Sequence, residues 1–270
     1  MAEPLTLPDP PDLRLDDPAG FDGIALQGVD KRFGSKTVLD ELDLWIRRGE
    51  TIVIIGRSGE GKSVLLKHIV RLLEPDRGQI WVEGQEVTAM HRPELMELRK
   101  KFGMLFQGSA LFDSMSVCDN VGFMVKEHSG WSEQRVRERA CECLAMVGLE
   151  ASEEKLPSAL SGGMKKRAGL ARAIAMEPQY ILYDEPTTGL DPITADAIND
   201  LIIKLQRELQ VTSVVVTHDM QSAFKVADRI AMLRQGRIVY VGTVQELETT
   251  DHPMVRQFIA GSAQGPLGAF

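Results

Sequence analysis

A chain of 270 residues with 43% apolar residues and a net charge of −8 can bury one large core or two modest ones, and its acidity argues against nucleic-acid binding as its main task. No apolar run approaches the roughly 20 residues that cross a bilayer; the longest candidates, Thr51 to Ile55, Tyr180 to Tyr183 and Val214 to Val216, are strand-sized. The N-terminus lacks a basic segment followed by an apolar run, so the expected location is cytosolic.

The stretch 1–22 scatters Pro4, Pro8, Pro10, Pro11 and Pro18 among acidic residues, which denies it a buried face and predicts a disordered tail. From Ile24 onward, short β-like runs alternate with turns: Ile24 to Val29, Val38 to Ile46, Thr51 to Ile55, Ile80 to Val82 and, much later, Arg237 to Val241. Between about Pro93 and Pro178 the pattern turns helical, with apolar residues near i, i+4, i+8 spacing in Ser132 to Val147; a helical subdomain is expected there. Cys118, Cys141 and Cys143 show no zinc spacing and read as reduced, ordinary cysteines; the histidines show no paired metal spacing. After Pro178, a strand (Tyr180 to Tyr183), a helix (about Thr194 to Leu209), a strand (Thr212 to Thr217) and a helix (about Met220 to Val226) follow the rhythm of parallel βαβ units. One α/β domain is therefore expected over 23–250, followed by an extension over 251–270 that ends in a loose segment, 261–270.

Gly56-Arg57-Ser58-Gly59-Glu60-Gly61-Lys62-Ser63 fits G-x-x-x-x-G-K-[ST], between an apolar strand and a helix that starts near Ser63 and continues through Val64. The glycines let backbone amides turn onto phosphates, Lys62 brings a point charge to the β and γ groups, and Ser63 offers a hydroxyl to Mg²⁺. The expected ligands are therefore ATP and Mg²⁺. Glu60 is an unusual acidic side chain for such a loop and is expected to point outward.

Asp184 and Glu185 end an apolar strand, where successive side chains face opposite ways, so the two carboxylates take separate jobs. Asp184 is expected to hold Mg²⁺ through its water shell, and Glu185 to polarise the attacking water as a general base. Leu160-Ser161-Gly162-Gly163-Met164 opens a helix with a serine cap and two glycines, the composition of a second anion site. With only one phosphate loop in the chain, that second site is expected to serve the nucleotide of another subunit, in a dimer that sandwiches two ATP molecules.

Together and in this order, the motifs make residues 24 to about 245 resemble the ATP-binding cassette family. The resemblance implies an α/β P-loop NTPase fold with a RecA-like parallel sheet core, an antiparallel β subdomain and a helical subdomain over about 93–178. It also implies that Leu160 to Met164 is the signature motif and that Gln107 links the γ-phosphate and its metal to a partner membrane protein. His218 would be the switch histidine after its strand, Thr188-Gly189-Leu190-Asp191 the loop that crosses between two active sites, and Phe33 the aromatic that stacks on adenine. Plain readings stand beside these: Phe33 as a core residue, Gln107 and His218 as surface polar groups. The run Lys165-Lys166-Arg167 reads as a solvated helix face.

The chain also resembles, more narrowly, the ATPases of Mla-type phospholipid transporters, which partner MCE lipid-binding proteins. That likeness rests on Phe106-Gln107-Gly108-Ser109-Ala110-Leu111-Phe112-Asp113-Ser114-Met115, Asp119-Asn120-Val121, Lys126-Glu127-His128, Ser161-Gly162-Gly163-Met164 and Val255-Arg256-Gln257-Phe258. It implies a homodimer of nucleotide-binding subunits, peripheral to the cytoplasmic face of the inner membrane, with an integral-membrane permease, an MCE-type protein and room for a small regulatory subunit. Leu111, Phe112 and Met115 would be exposed in a groove for the permease's coupling helix, or else pack the helical subdomain. The expected function is a motor that moves phospholipid between envelope membranes. The alternatives are a cassette ATPase for a polar solute, a non-transport cassette ATPase acting on DNA or in translation, and a nucleotide switch without turnover. The acidic charge and the lack of coiled-coil heptads count against the third reading, and Glu185 against the last.

Overall fold

The computed structural model describes residues 11–267, which divide into two compact units. Met90–Val216 form the second; the described residues on either side form the first. Residues 1–10 and 268–270 lie outside the described residues, and with them most of the prolines on which the tail reading rested.

The first unit opens with β1 (Gly23–Phe33), β2 (Lys36–Arg47), β3 (Thr51–Ile55), α1 (Lys62–Ile69), β4 (Arg77–Val82) and β5 (Gln85–Glu86). Strands β2, β1, β4 and β5 lie in that order in an antiparallel sheet. In β2 the alternating residues Leu42, Leu44 and Ile46 are fully buried, the period-two pattern of a strand with one face on a core, whereas in β1 all of Gly23 to Leu26 is buried. The chain returns to this unit with α7 (Met220–Val226), β9 (Arg229–Arg234), β10 (Arg237–Thr243), α8 (Val244–Thr249) and α9 (Pro253–Ala260). Here β9 pairs in parallel with β3 and antiparallel with β10. Every residue of β3 is buried, as its uninterrupted apolar run requires.

Two ends of this unit differ from expectation. The segment 11–22 has no helix or strand, yet Leu13 is buried and the Gln27 amide donates to the Leu15 carbonyl at 2.7 Å, so this part of the tail is held against the sheet. At the other end, the stretch expected to be loose beyond 261 packs Leu267 into the interior. Gln257 pins it: its Nε2 donates to the Ser262 carbonyl at 3.0 Å, and its Oε1 accepts from the Leu267 amide at 2.7 Å.

The second unit holds α2 (Arg92–Lys100), β6 (Phe102–Leu105), α3 (Val117–Ser129), α4 (Glu133–Met146), α5 (Gly162–Ile174), β7 (Tyr180–Asp184), α6 (Pro192–Leu209) and, at its end, β8 (Thr212–Thr217). Strands β6, β7 and β8 run parallel, with β7 in the middle, and β7 and β8 are buried throughout. The helical run read from about 93 to 178 thus contains a strand, β6, whose short Phe-Gly-Met-Leu text gives no periodicity of its own. Gly122 lets α3 and α4 close on each other, since a Cβ there would lie 2.9 Å from Val136.

Candidate functional site

In the first unit, β3 delivers the phosphate loop and α1 receives it. Gly61, the N-cap of α1, has φ 103°, and a Cβ there would sit 2.9 Å from Val38 Cγ1 and 3.0 Å from the Val38 carbonyl oxygen, so only glycine fits. No side chain caps α1 and its first turn holds no acidic residue, which leaves the positive end of the helix to an anion. Lys62 is 6% exposed; its Nζ donates to the carbonyls of Gly56 (2.8 Å) and Arg57 (3.2 Å), so the side chain lies folded over its own loop. Ser58 and Gly59 are exposed at the crest, and Ser63 and Val64 follow half-buried. This glycine-only turn, open helix start and folded lysine suit a polyphosphate.

Glu60 does not point outward as expected. Its carboxylate pairs with the Arg234 guanidinium and accepts from the Gln235 amide at 2.6 Å, with only 10% of the side chain exposed. Arg234 and Arg57 in turn both donate to the Leu267 carbonyl, at 3.1 and 3.0 Å. The phosphate loop is thereby clamped to the end of β9 and to the C-terminal segment. Phe33, at the end of β1, is 48% exposed with the Lys31 ammonium 5.6 Å from its ring centre, which rules out the core reading. His218 is exposed immediately after β8, and the next residue, Asp219, caps α7 through the amides of Gln221 and Ser222.

In the second unit, Asp184 closes β7 and Glu185 follows it, 5% and 8% exposed. Glu185 has φ 50°, in the left-handed region that a residue with a Cβ rarely adopts. Its amide donates to the Val216 carbonyl at 3.0 Å, and its Oε2 accepts from the Thr188 hydroxyl at 2.9 Å. Ser161 caps α5, accepting from the Met164 amide, and both Ser161 and Gly162 are exposed. A Cβ on Gly163 would meet Thr194 Cγ2 at 2.5 Å. The same Thr194 bonds Asp191 through its hydroxyl (2.6 Å) and its amide (3.0 Å). These bonds hold the Asp191 carboxyl below the usual carboxylate range. The signature-like helix start and the Asp191 turn are thus built against one another. Gln107 is exposed at the mouth of the loop after β6.

Lys166 departs from the solvated-face reading. It is 4% exposed, and its ammonium donates to the carbonyls of Gln107 (2.6 Å) and Glu185 (2.9 Å). Burial pulls it below the usual lysine range, while the Asp184 and Glu185 carboxylates push it back up.

A family model described as "ABC transporter" matches residues 39–188. The chain belongs to the ABC transporter family. It is 43% identical over 245 residues to the probable ribonucleotide transport ATP-binding protein mkl of Mycobacterium bovis, covering 91% of this chain and 68% of the relative. It is 42% identical over 234 residues to the intermembrane phospholipid transport system ATP-binding protein MlaF of Escherichia coli, covering 87% of each. Among solved structures, the ATP-binding cassette MJ0796, a dimer in a post-hydrolysis state with ADP and Pi, superposes with a TM-score of 0.75 at 34% identity, covering 82% of this chain and 98% of that one. This ABC protein is accordingly an ATP-binding ATPase with the cassette fold.

Three supporting side chains of this ABC protein have roles that the motif reading did not assign. Lys166 shares a buried helical stripe with Gly163, Leu170 and Ala173, a spacing that was available in the sequence but masked by the flanking Lys165 and Arg167. Arg172 donates to the Ser109 and Ala110 carbonyls at 2.7 Å each, holding two consecutive residues at φ 61° and 48°. Asn120, fully buried, accepts from the Phe112 amide (2.7 Å) and donates to the carbonyls of Phe112, Met115 and Ser116. Phe112 is exposed while Leu111 and Met115 are half-buried, so only one of the three side chains expected at the surface is exposed, and it still rests on Phe123.

Proposed function

We propose that this ABC protein is the homodimeric motor of a phospholipid transporter, peripheral to the cytoplasmic face of the inner membrane and bound to an integral-membrane permease and an MCE-type lipid-binding protein. Among the described residues no helix is long and apolar enough to cross a membrane. Phospholipid as cargo is supported by the name of the Escherichia coli relative and by the motif likeness over Phe106 to Met115.

The observation that carries the ATPase mechanism is the held conformation of Glu185, a nearly buried carboxylate aimed by a left-handed backbone and the Thr188 hydroxyl. Glu185 takes a proton from the attacking water; Lys62 and the loop amides from Gly56 to Ser63 bind the β- and γ-phosphates, and Phe33 stacks on the adenine. His218 and Gln107 orient the γ-phosphate end, and Ser161, Gly162, Gly163 and Asp191 serve the nucleotide of the second subunit. Ser63, Gln107 and Asp184 would hold Mg²⁺, which supplies charge neutralisation at the phosphates when bound.

Glu185→Gln, purified from native membranes in mild detergent, tests both levels. Hydrolysis should fall roughly 10²- to 10⁴-fold with ATP binding retained, the size of a general-base contribution; parental turnover would remove Glu185 from that role. Mass spectrometry of the co-purifying material should find a multi-spanning permease, an MCE protein and phospholipid. The mycobacterial relative's name favours a second reading, a polar nucleotide cargo, and a permease recovered with nucleotide and no MCE protein would support that instead.

A further inference from the structure

We propose that Lys166 is a positioning residue for hydrolysis, whose single buried ammonium fixes the Gln107 and Glu185 peptides relative to each other. The proposal rests on the general-base reading of Glu185 and adds a group that does not touch substrate.

A lysine is among the residues least often buried, because its charge loses water that only hydrogen bonds can replace. Here the replacements are backbone carbonyls, those of Gln107 at 2.6 Å and Glu185 at 2.9 Å. Neither carbonyl is an arbitrary anchor. Glu185 sits at φ 50°, a conformation that persists only when the surroundings over-determine it. Its amide is tied to the Val216 carbonyl and its own carbonyl to Lys166, so both peptides flanking the Cα are fixed and the direction of the carboxylate follows from them. Gln107 begins the loop in which Arg172, from the same helix as Lys166, holds Ser109 and Ala110 left-handed. That helix α5 starts at Ser161, so one rigid element carries the serine cap at its end and the cation that registers the two peptides. Methionine at this position would fill the volume but leave the buried Glu185 carbonyl and the part-buried Gln107 carbonyl without their charged donor.

The test compares Lys166→Met, Lys166→Gln and Lys166→Arg in the full-length protein purified with its native membrane partners. Each is measured for the kcat of Mg-ATP hydrolysis, for ATP affinity by equilibrium binding, and for thermal unfolding. Lys166→Met should lower kcat by about 10- to 100-fold, the loss expected from misplacing a reacting group by about 1 Å, with ATP affinity within about twofold of the parent. Lys166→Arg, which keeps a cation and donors, should recover most of that loss. Should Lys166→Met fail to fold, Lys166→Gln carries the same comparison. Parental kcat in a folded Met or Gln variant would overturn the proposal, as would a fall in kcat matched by a fall in ATP affinity and melting temperature. Combining Lys166→Met with Glu185→Gln separates the two claims. The double variant should lose less than the product of the two single losses, because the lysine acts in large part through the glutamate and otherwise through Gln107. Multiplicative losses would overturn the Lys166 proposal alone, whereas parental turnover in Glu185→Gln would overturn the general-base reading alone.

Discussion

His68 sits on α1, behind the phosphate loop, and is completely buried. Its Nδ1 donates to the Val64 carbonyl at 2.7 Å, while Nε2 has no partner among the described residues. Burial is the main cause that holds its pKa below the ordinary histidine value, and Lys31 acts the same way; the Val64 bond and Asp76 oppose it. The unfolded chain therefore takes up a proton first, near pH 6.5, so this contribution to stability is complete above that pH and is lost as the pH falls below it. The slope can reach about 1.4 kcal/mol per pH unit between the two pKa values. Thermal unfolding between pH 7.5 and 5.5 should show a fall in melting temperature that His68→Asn flattens; equal pH slopes in both proteins would show that His68 is not the responsible group. Glu60 shows at the same scale where residue reading stops. The sequence marks it as anomalous in its loop, but its partner Arg234 lies 174 positions away, and only the folded pairing of β3 with β9 brings them together.

Elements were legible where one physical signal dominated. The buried strands β7 and β8 carry the apolar runs Tyr180 to Tyr183 and Val214 to Val216, and α4 and α6 have a clear amphipathic period between Ser132 or Asp191 caps and their last buried residues. Strand β6 was not legible because it is ordered by its pairing with β7, and the loop after it because its order comes from tertiary bonds to Lys166, Arg172 and Asn120. Those bonds present Phe112 at 44% exposure, its ring 5.0 Å from Phe123, above a groove of about 450 Å³ that Met104, Met124 and Met176 also line. Aromatic and methionine side chains suit a protein interface, and the proposed occupant is a short helix of the permease. Since Phe112 is already half in solvent, Phe112→Asp should change stability by no more than about 1 kcal/mol while it breaks the apolar surface. The expected result is an unchanged melting temperature, normal basal ATP hydrolysis and loss of the co-purified permease; undiminished permease yield would place the interface elsewhere.

At the scale of the whole molecule, the chain carries one phosphate loop, in its first unit, and one exposed glycine-rich helix start, at Ser161 in its second. The proposal that these two meet only between subunits makes nucleotide the agent of dimerisation, since ATP bound to one loop completes its contacts on the partner's α5. Hydrolysis would dissolve the dimer, so blocking it should trap the pair: Glu185→Gln at saturating Mg-ATP should elute as a dimer and return to monomer when the nucleotide is removed. Adding Ser161→Arg to that background replaces a small hydroxyl at the exposed helix start with a long cation, in a place where no buried core is disturbed. Each monomer would keep its own phosphate loop and Lys62, so ATP should still bind with stoichiometry near one per chain, while the dimer is lost. Calorimetric binding together with light scattering reads both quantities in one sample. If the Arg variant loses ATP binding and dimer together, the helix start acts on the nucleotide of its own chain. A Glu185→Gln protein that stays monomeric at saturating ATP would remove the shared site altogether, and leave the exposed serine and glycines of α5 as an ordinary helix cap.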